Sequence, residues 1–335
     1  MTSTEKAPLV TILVPTIGRM HYLPRVVESV RAQTFGDYEV LVLDNDSPEP
    51  ARSFIDEWAA KEPRVRVMRC SPRLPMFENF DRGVRAARGK YTTFMHDDDV
   101  YLPGFLAAHV EVLERNPRVG FSGAAFDVVD EADVVVEKWR FIPTDEIRRG
   151  KDYIEGLVTR GRNIVPMQGL VFRSEVFRPG GFDTTLSPHY GDFILLSRIA
   201  ESWDVALLRE PVMYVRKHDA QASRSMPVSR WADMRKRALH AYCDEYLARH
   251  PGELAFVRKL RRAIDVRRDV ALVWGWVSAD DVAESRSCAE QLEDSTSGLV
   301  LASMLRGIDM TGARAALRRV AASQGIRTLA GKLKV

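Results

Sequence analysis

The sequence predicts an α/β protein with a doubly wound, mostly parallel central sheet flanked by helices, followed by an α-helical C-terminal region. Strand-like and helix-like segments alternate from residue 9 onward, at the spacing of βαβ units. From about Met226 the pattern is helical and rich in arginine, and no strand pattern returns before Val335. We therefore predict two domains, residues 1–225 and 226–335.

The strands of the first domain are predicted from short apolar runs. Residues 9–15, LVTILVP, are apolar without alternation, as expected for a strand covered on both faces. Further strands are predicted at residues 38–44, 64–70, 90–96, 119–130 and 134–142. Helical patterns lie between them, at residues 22–34, 50–61, 78–88 and 103–115.

Composition excludes several classes of protein. The 335 residues are 45% hydrophobic and 28% charged, which is typical of a globular protein. The net charge of +3 is too small to indicate a nucleic-acid partner. Three distant cysteines without CxxC spacing favour a reducing compartment, and the longest apolar run, residues 270–277, is far below the ~20 residues that span a bilayer. We expect a cytoplasmic protein, with contact to a membrane surface left open.

Two acidic clusters follow predicted strands: Asp44-Asn45-Asp46-Ser47 and Asp97-Asp98-Asp99. Ligands of open α/β sheets bind at the carboxyl ends of the strands. Three adjacent carboxylates repel one another unless a cation neutralises them, and oxygen ligands favour Mg²⁺ or Mn²⁺. Each cluster also has a plainer interpretation, as a solvated turn that caps the next helix. Together they favour a site for a nucleotide and a metal.

Two further residues are candidates on weaker grounds. Asp192 opens an apolar helical run, so it is either an N-cap favoured by its charge or a general base. His218 is one of seven histidines, and its spacing alone does not distinguish a ligand from a surface or core residue.

Three collinear segments resemble the inverting, GT-A fold glycosyltransferases of family 2, over residues 8–225. They are residues 10–47, which end in LVLDNDS; residues 79–106, which contain FMHDDDVYLPGFL; and residues 180–208, which contain GGFDTTLSPHYGDFILL. The resemblance implies that the protein moves a sugar from a nucleoside-diphosphate sugar to an acceptor hydroxyl by in-line displacement, with inversion and with Mn²⁺ or Mg²⁺ as cofactor.

The resemblance also implies roles for single residues. Pro15 and Thr16 would line the nucleobase pocket, Asn45 would contact the base beside Asp44, and Asp97 would approach the ribose and diphosphate. The family commonly has aspartate at the position of Asn45, which leaves the base open, with UDP- or dTDP-sugars favoured over GDP-sugars.

The same comparison implies the metal ligands and the base. Asp98 would hold the metal with Asp99 beside it, and His218 would contact the metal or a phosphate. Asp192 would take the proton from the acceptor. His96 and Gly191 depart from the family pattern, since aspartate and glutamate are common there.

Two rivals remain. One is an inactive nucleotide-sugar-binding protein of the same fold. The other is a sugar nucleotidyltransferase, although Gly18-Arg19 is a poor match to the basic phosphate loop of such enzymes. The acceptor is not identified, and a glycan, a lipid-linked glycan, a peptide or a small molecule would all fit.

The C-terminal region is predicted to bind the acceptor, form a homo-oligomer or contact a membrane surface. Residues 230–250 are amphipathic, and a basic run follows at Arg258, Lys259, Arg261, Arg262, Arg267 and Arg268. Such a run suits an anionic surface or acceptor, but a solvated helix face has the same pattern.

Overall fold

The computed structural model describes residues 6–161, 163–178, 180–186, 189–218, 227–278 and 282–293. The chain divides into two compact units. The first comprises Met1–Ile154, Ile164–Thr184 and Gly191–Asp219, and the second comprises Glu155–Asn163, Thr185–Tyr190 and Ala220–Val335. The first unit ends close to the predicted boundary at residue 225, and two short earlier segments belong to the second.

One mixed sheet forms the centre of the first unit. Its strands are β1 (Val10–Thr16), β2 (Tyr38–Asn45), β3 (Val65–Cys70), β4 (Tyr91–Phe94), β5 (Val100–Tyr101), β6 (Val119–Val129), β7 (Val135–Trp139), β8 (Glu146–Arg148), β9 (Leu170–Arg173) and β10 (Asp204–Arg216).

The described helices agree with the sequence prediction in number and place up to residue 115. They are α1 (Leu23–Arg31), α2 (Ala51–Lys61), α3 (Met76–Ala86), α4 (Phe105–Arg115), α5 (Gly150–Arg160), α6 (Gly191–Ala200), α7 (Val228–Arg249), α8 (Leu254–Ser278) and α9 (Val282–Glu293).

The strand order β3-β2-β1-β4-β9-β6-β10-β5 sets where the strands end. The first four strands run parallel, with Thr16 opposite Asp44 and Asn45 opposite Cys70. Their carboxyl ends therefore lie at one edge of the sheet, which is the arrangement needed for the two acidic clusters to form one ligand site. β9 enters antiparallel between β4 and β6, and β10 runs parallel to β6.

The sequence prediction did not include β9 or β10. β9 has only four residues, and the longer β10 is interrupted by the polar Arg209-Glu210 and by Pro211, with irregular register against β6. Proline removes a ladder donor, which obscures the strand pattern. The core of the first unit is apolar: Val14 of β1, Val42 of β2 and Val26 of α1 are all fully buried in one cluster.

The second unit is helical over its described residues. Ala232 of α7, Leu272 of α8 and Cys288 of α9 share a buried apolar cluster. In the predicted basic run, Lys259 pairs with Glu155 at 2.5 Å, Arg261 pairs with Asp244, and Arg268 is buried beside Asp269. These three side chains have partners within the unit itself, and contact with an anionic surface stays a prediction. None of the helices in the described part of the chain is both long enough and apolar enough to cross a membrane.

Candidate functional site

The turn after β1 brings a basic residue back toward the end of β4. Gly18 has φ +86°, and a Cβ there would stand 2.9 Å from the Ser47 side chain, so both backbone and space favour glycine. The Gly18 N–H donates to Thr16 Oγ1 at 2.9 Å, and Thr16 Oγ1 donates to Asp97 Oδ2 at 2.6 Å. Arg19 follows, with its guanidinium against the aspartate cluster.

Asp97 and Asp98 share that guanidinium. Arg19 Nη1 lies 2.6 Å from Asp97 Oδ1 and 3.4 Å from Asp98 Oδ2, and His218 Nε2 lies 3.0 Å from the same Asp98 oxygen. Burial alone would raise the pKa of Asp98, but its hydrogen bond with His218 and the charge of Arg19 lower it below its ordinary value. Asp98 is therefore ionised at neutral pH.

Asp99 is held differently from its two neighbours. Its Oδ1 accepts the backbone N–H of Arg216 at 2.8 Å, while Oδ2 lies 4.0 Å from His96 Nδ1 and accepts no hydrogen bond from the described residues. Burial, and then the charge of Asp98, raise the pKa of Asp99 well above its ordinary value. Arg216 also donates to the Asp98 carbonyl at 3.1 Å, so the end of β10 fixes the backbone of the cluster.

These residues fit a divalent cation. His96, Asp98 and Asp99 each offer one ligand atom, and the three atoms lie within 4.8 Å of one another. Asp99 Oδ2 and His96 Nε2 are both buried without a hydrogen-bond partner among the described residues, which is costly unless a ligand completes them. Burial lowers the pKa of His96, so its imidazole is neutral, as a metal ligand must be.

The sequence interpretation treated His96 only as the loss of an aspartate. Its position next to three aspartates was the available signal, since imidazole is also a common metal ligand. Asp98 and Asp99, predicted as metal ligands, lie in this three-residue group. His218, the third predicted ligand, lies next to the group as the hydrogen-bond partner of Asp98. The assignment of ligands stays a prediction.

The predicted nucleotide residues lie at the ends of β1 and β2. Pro15 is half-buried, and Thr16 and Asp44 are buried. Asp44 Oδ1 accepts the N–H of Ser47 at 3.0 Å and Oδ2 accepts from Arg69 Nε at 2.5 Å. Burial alone would raise the pKa of Asp44, but these two partners lower it below its ordinary value.

Asn45 uses its side chain to hold a neighbouring segment. Its Nδ2 donates to the Leu74 carbonyl at 3.0 Å, its Oδ1 accepts the Leu74 N–H at 2.8 Å, and the Cys70 thiol lies 3.1 Å from Oδ1. The predicted contact of Asn45 with a base would have to be made alongside these bonds.

Asp192 is the second residue of α6 and is half-buried. Its Oδ1 accepts the N–H of the next residue, Phe193, at 2.8 Å. An N-cap would accept the N–H of a residue two or three positions further along, so this bond does not decide between the two predicted roles. The preceding Gly191 lies against Phe77, and a Cβ on Gly191 would stand 2.8 Å from that ring. Since Phe77 stacks on Phe182 with ring centres 5.0 Å apart, the space for a glutamate at position 191 is filled.

A family model, Glycosyl transferase family 2, matches residues 11–177, which include the turn at Gly18 and the whole acidic cluster. The chain belongs to glycosyl transferase family 2. The predicted resemblance is confirmed, and family membership identifies this chain as a glycosyltransferase. The match ends before Asp192 and His218, so the roles of these two residues are proposals.

Individual proteins agree with that assignment. A Haemophilus influenzae protein named as an uncharacterised glycosyltransferase is 27% identical over 219 residues, which cover 64% of this chain and 70% of that protein. Two further curated relatives are matched over 40% and 65% of their lengths.

Solved structures confirm the predicted GT-A fold. S. aureus TarS, in complex with UDP-GlcNAc, matches with TM-score 0.64 and 14% identity, covering 85% of this chain and 80% of that one. The mannosyltransferase PcManGT of Pyrobaculum calidifontis, in complex with GDP-Man and Mn²⁺, matches with TM-score 0.57 and 17% identity, covering 98% and 85%.

Proposed function

We propose that the protein transfers a sugar from a nucleoside-diphosphate sugar to an acceptor hydroxyl, with inversion and with the help of a divalent cation. The observation that supports this most is the meeting of His96, Asp98 and Asp99 at the carboxyl edge of the sheet, with Asp97 and Thr16 beside them, in a family 2 chain. Buried carboxylates and a neutral imidazole at that edge suit a metal and a diphosphate.

Each residue has a proposed task. His96, Asp98 and Asp99 would hold the cation, which when bound supplies positive charge to the departing nucleoside diphosphate. Asp97 would approach the ribose and diphosphate, in an orientation fixed by its bond from Thr16. Asp192, at the start of α6, would accept the proton of the acceptor hydroxyl as that oxygen attacks.

The ligand set favours Mn²⁺ over Mg²⁺ in this proposal. Mg²⁺ prefers oxygen ligands and binds water firmly, whereas the group here includes an imidazole nitrogen. The complex of PcManGT with Mn²⁺ is consistent with that preference.

For the donor we propose a UDP- or dTDP-sugar. TarS was solved with UDP-GlcNAc and PcManGT with GDP-Man, and at 14% and 17% identity neither determines the base here. Asn45 would act on the base mainly through the segment around Leu74 that it holds. A glycan or lipid-linked glycan is the proposed acceptor class, and the second unit its proposed binding region.

The test is thermal unfolding with UDP, dTDP and GDP, each with Mn²⁺, with Mg²⁺ and with a chelator. A ligand at a hundred times its dissociation constant stabilises the native state by about 2.7 kcal/mol. We expect the largest shift with UDP or dTDP plus Mn²⁺ and its loss with the chelator or in Asp98→Asn. A thermal shift with GDP but not with UDP or dTDP would contradict the proposed base. No shift with any nucleotide would contradict the proposed donor site.

The substrate that the protein consumes distinguishes the proposed transferase from the two alternative functions. Release of nucleoside diphosphate from a nucleotide sugar supports the transferase, whereas consumption of a nucleoside triphosphate with a sugar phosphate would support the nucleotidyltransferase. Donor binding without any release would support the inactive binding protein.

A further inference from the structure

Arg19 is the feature of the site that the proposed reaction does not yet use. Its guanidinium contacts both Asp97 and Asp98, at 2.6 and 3.4 Å, although these residues lie 78 and 79 positions away in the chain. The arginine side chain is 32% exposed, whereas those of Asp97 and Asp98 are 2% and 13% exposed. A partly exposed cation therefore covers two nearly buried anions.

The contacts of Asp98 conflict with its proposed role. The carboxylate belongs to the three-residue group that suits a divalent cation, yet one of its oxygens already lies near Arg19 and His218. A divalent cation close to Arg19 would be repelled by it, and like charges at such distances weaken binding strongly in a partly buried site. Arg19 and a metal ion are thus competitors for the charge of Asp98.

Arginine has a second use in such a site. Its planar guanidinium pairs with phosphate oxygens as well as with carboxylates. Because Arg19 follows the turn at Gly18 and remains partly exposed, its side chain has solvent on one side into which it can move without opening the core.

We propose that Arg19 is an internal counter-cation of Asp97 and Asp98 in the ligand-free protein. When the donor and a divalent cation bind, its guanidinium moves from these carboxylates to pair with the diphosphate. The inference rests on the proposed function. Its consequence is coupling: the diphosphate draws Arg19 away from the carboxylates, so nucleotide and metal each strengthen the binding of the other. The ligand-free protein then has low affinity for the metal alone.

The experiment measures Mn²⁺ binding in the absence of nucleotide, by the loss of the free-ion signal in electron paramagnetic resonance. Arg19→Gln removes the competing charge and should bind Mn²⁺ roughly tenfold or more tightly than the wild type. Arg19→Lys keeps the charge and should bind as weakly as the wild type. Arg25→Gln is the matched control, because Arg25 has similar exposure but pairs with Asp133 at 3.0 Å; its Mn²⁺ affinity should be unchanged.

A second measurement uses the same proteins with UDP, dTDP or GDP. The nucleotide should raise the Mn²⁺ affinity of the wild type, and this enhancement should shrink in Arg19→Gln by about the factor gained without nucleotide. Equal Mn²⁺ affinity of Arg19→Gln and wild type, with nucleotide-enhanced binding intact in both, overturns the role of Arg19 and leaves the proposed function standing. No Mn²⁺ binding by any of the proteins, even with nucleotide, overturns the metal site and this inference together.

Discussion

The side-chain amide of Asn45 and the backbone of Leu74 hold each other through two hydrogen bonds, at 3.0 and 2.8 Å. One bond needs the amide as a donor and the other needs it as an acceptor, which a carboxylate cannot provide. Asn45→Asp would place an anionic oxygen against the Leu74 carbonyl, and we expect a loss of ~1–3 kcal/mol in the free energy of unfolding. Urea denaturation at pH 7 measures it.

Asp46→Asn is the control for that substitution. Asp46 has φ +65°, a conformation that asparagine adopts readily, so the exchange of amide and carboxylate should leave stability nearly unchanged. Equal stability of Asn45→Asp and the wild type would show that the two bonds contribute nothing, and Asn45 would then be free to contact a base.

Any side chain at position 191 is expected to destabilise the protein while Phe77 is present. Gly191→Ala places a methyl group 2.8 Å from the Phe77 ring, and overpacking of this kind costs ~1–3 kcal/mol. The cost should fall in a Phe77→Leu background, where the ring is absent. A double-mutant cycle by denaturant unfolding measures that coupling.

Gly36→Ala is the matched change, since a Cβ at Gly36 meets no atom within 4 Å. Additive effects of Gly191→Ala and Phe77→Leu would mean that the ring does not exclude a side chain at position 191. The absence of the family glutamate there would then have no packing explanation.

Asp192→Asn should abolish sugar transfer without weakening the binding of the donor. Removal of a general base lowers the rate by about 10²–10⁴-fold, whereas the nucleotide residues at the ends of β1 and β2 are untouched. Release of nucleoside diphosphate from the donor measures the rate, and the thermal shift with nucleotide measures binding. Glu201→Gln, just beyond the last residue of α6, is the control for the same chemical change. Transfer by Asp192→Asn at more than a tenth of the wild-type rate would exclude Asp192 as the base.

The burial of His109 should make the stability of the folded protein sensitive to acid. Its imidazole is fully buried, with Nδ1 2.7 Å from Ser122 Oγ and Nε2 unpaired among the described residues. Burial lowers the pKa of His109 to about 3. Between pH 6.5 and 3 the His109 imidazole is protonated in the unfolded chain but not in the folded protein. The free energy of unfolding therefore falls as the pH falls, by up to ~1.4 kcal/mol per pH unit.

His109→Gln should remove that contribution, so that its free energy of unfolding falls less steeply between pH 6.5 and 5 than that of the wild type. His21→Gln, at an exposed position, is the control. Parallel curves for His109→Gln and the wild type would show that the imidazole binds a proton as readily in the folded protein as in the unfolded chain.

The sequence by itself determined the order of the first strands and helices and the position of the acidic clusters. Apolar runs and helical periodicity are local properties, and burial of a strand on both faces is visible in its own residues, as in β1 and β2. Because parallel strands end at one edge, Asp44 and Asp97 were predicted to approach one ligand site. The family motifs added the reaction.

Only the tertiary structure decided which side chains meet. Arg19 pairs with Asp97 and Asp98, His218 reaches Asp98 from 120 positions away, and Asn45 holds Leu74. Such contacts depend on strand order, register and the turn at Gly18, which the local pattern of residues does not encode. The sequence placed the charges at the edge of the sheet, whereas the fold decided which cation neutralises them, because Coulomb energy depends on distances set by the whole chain.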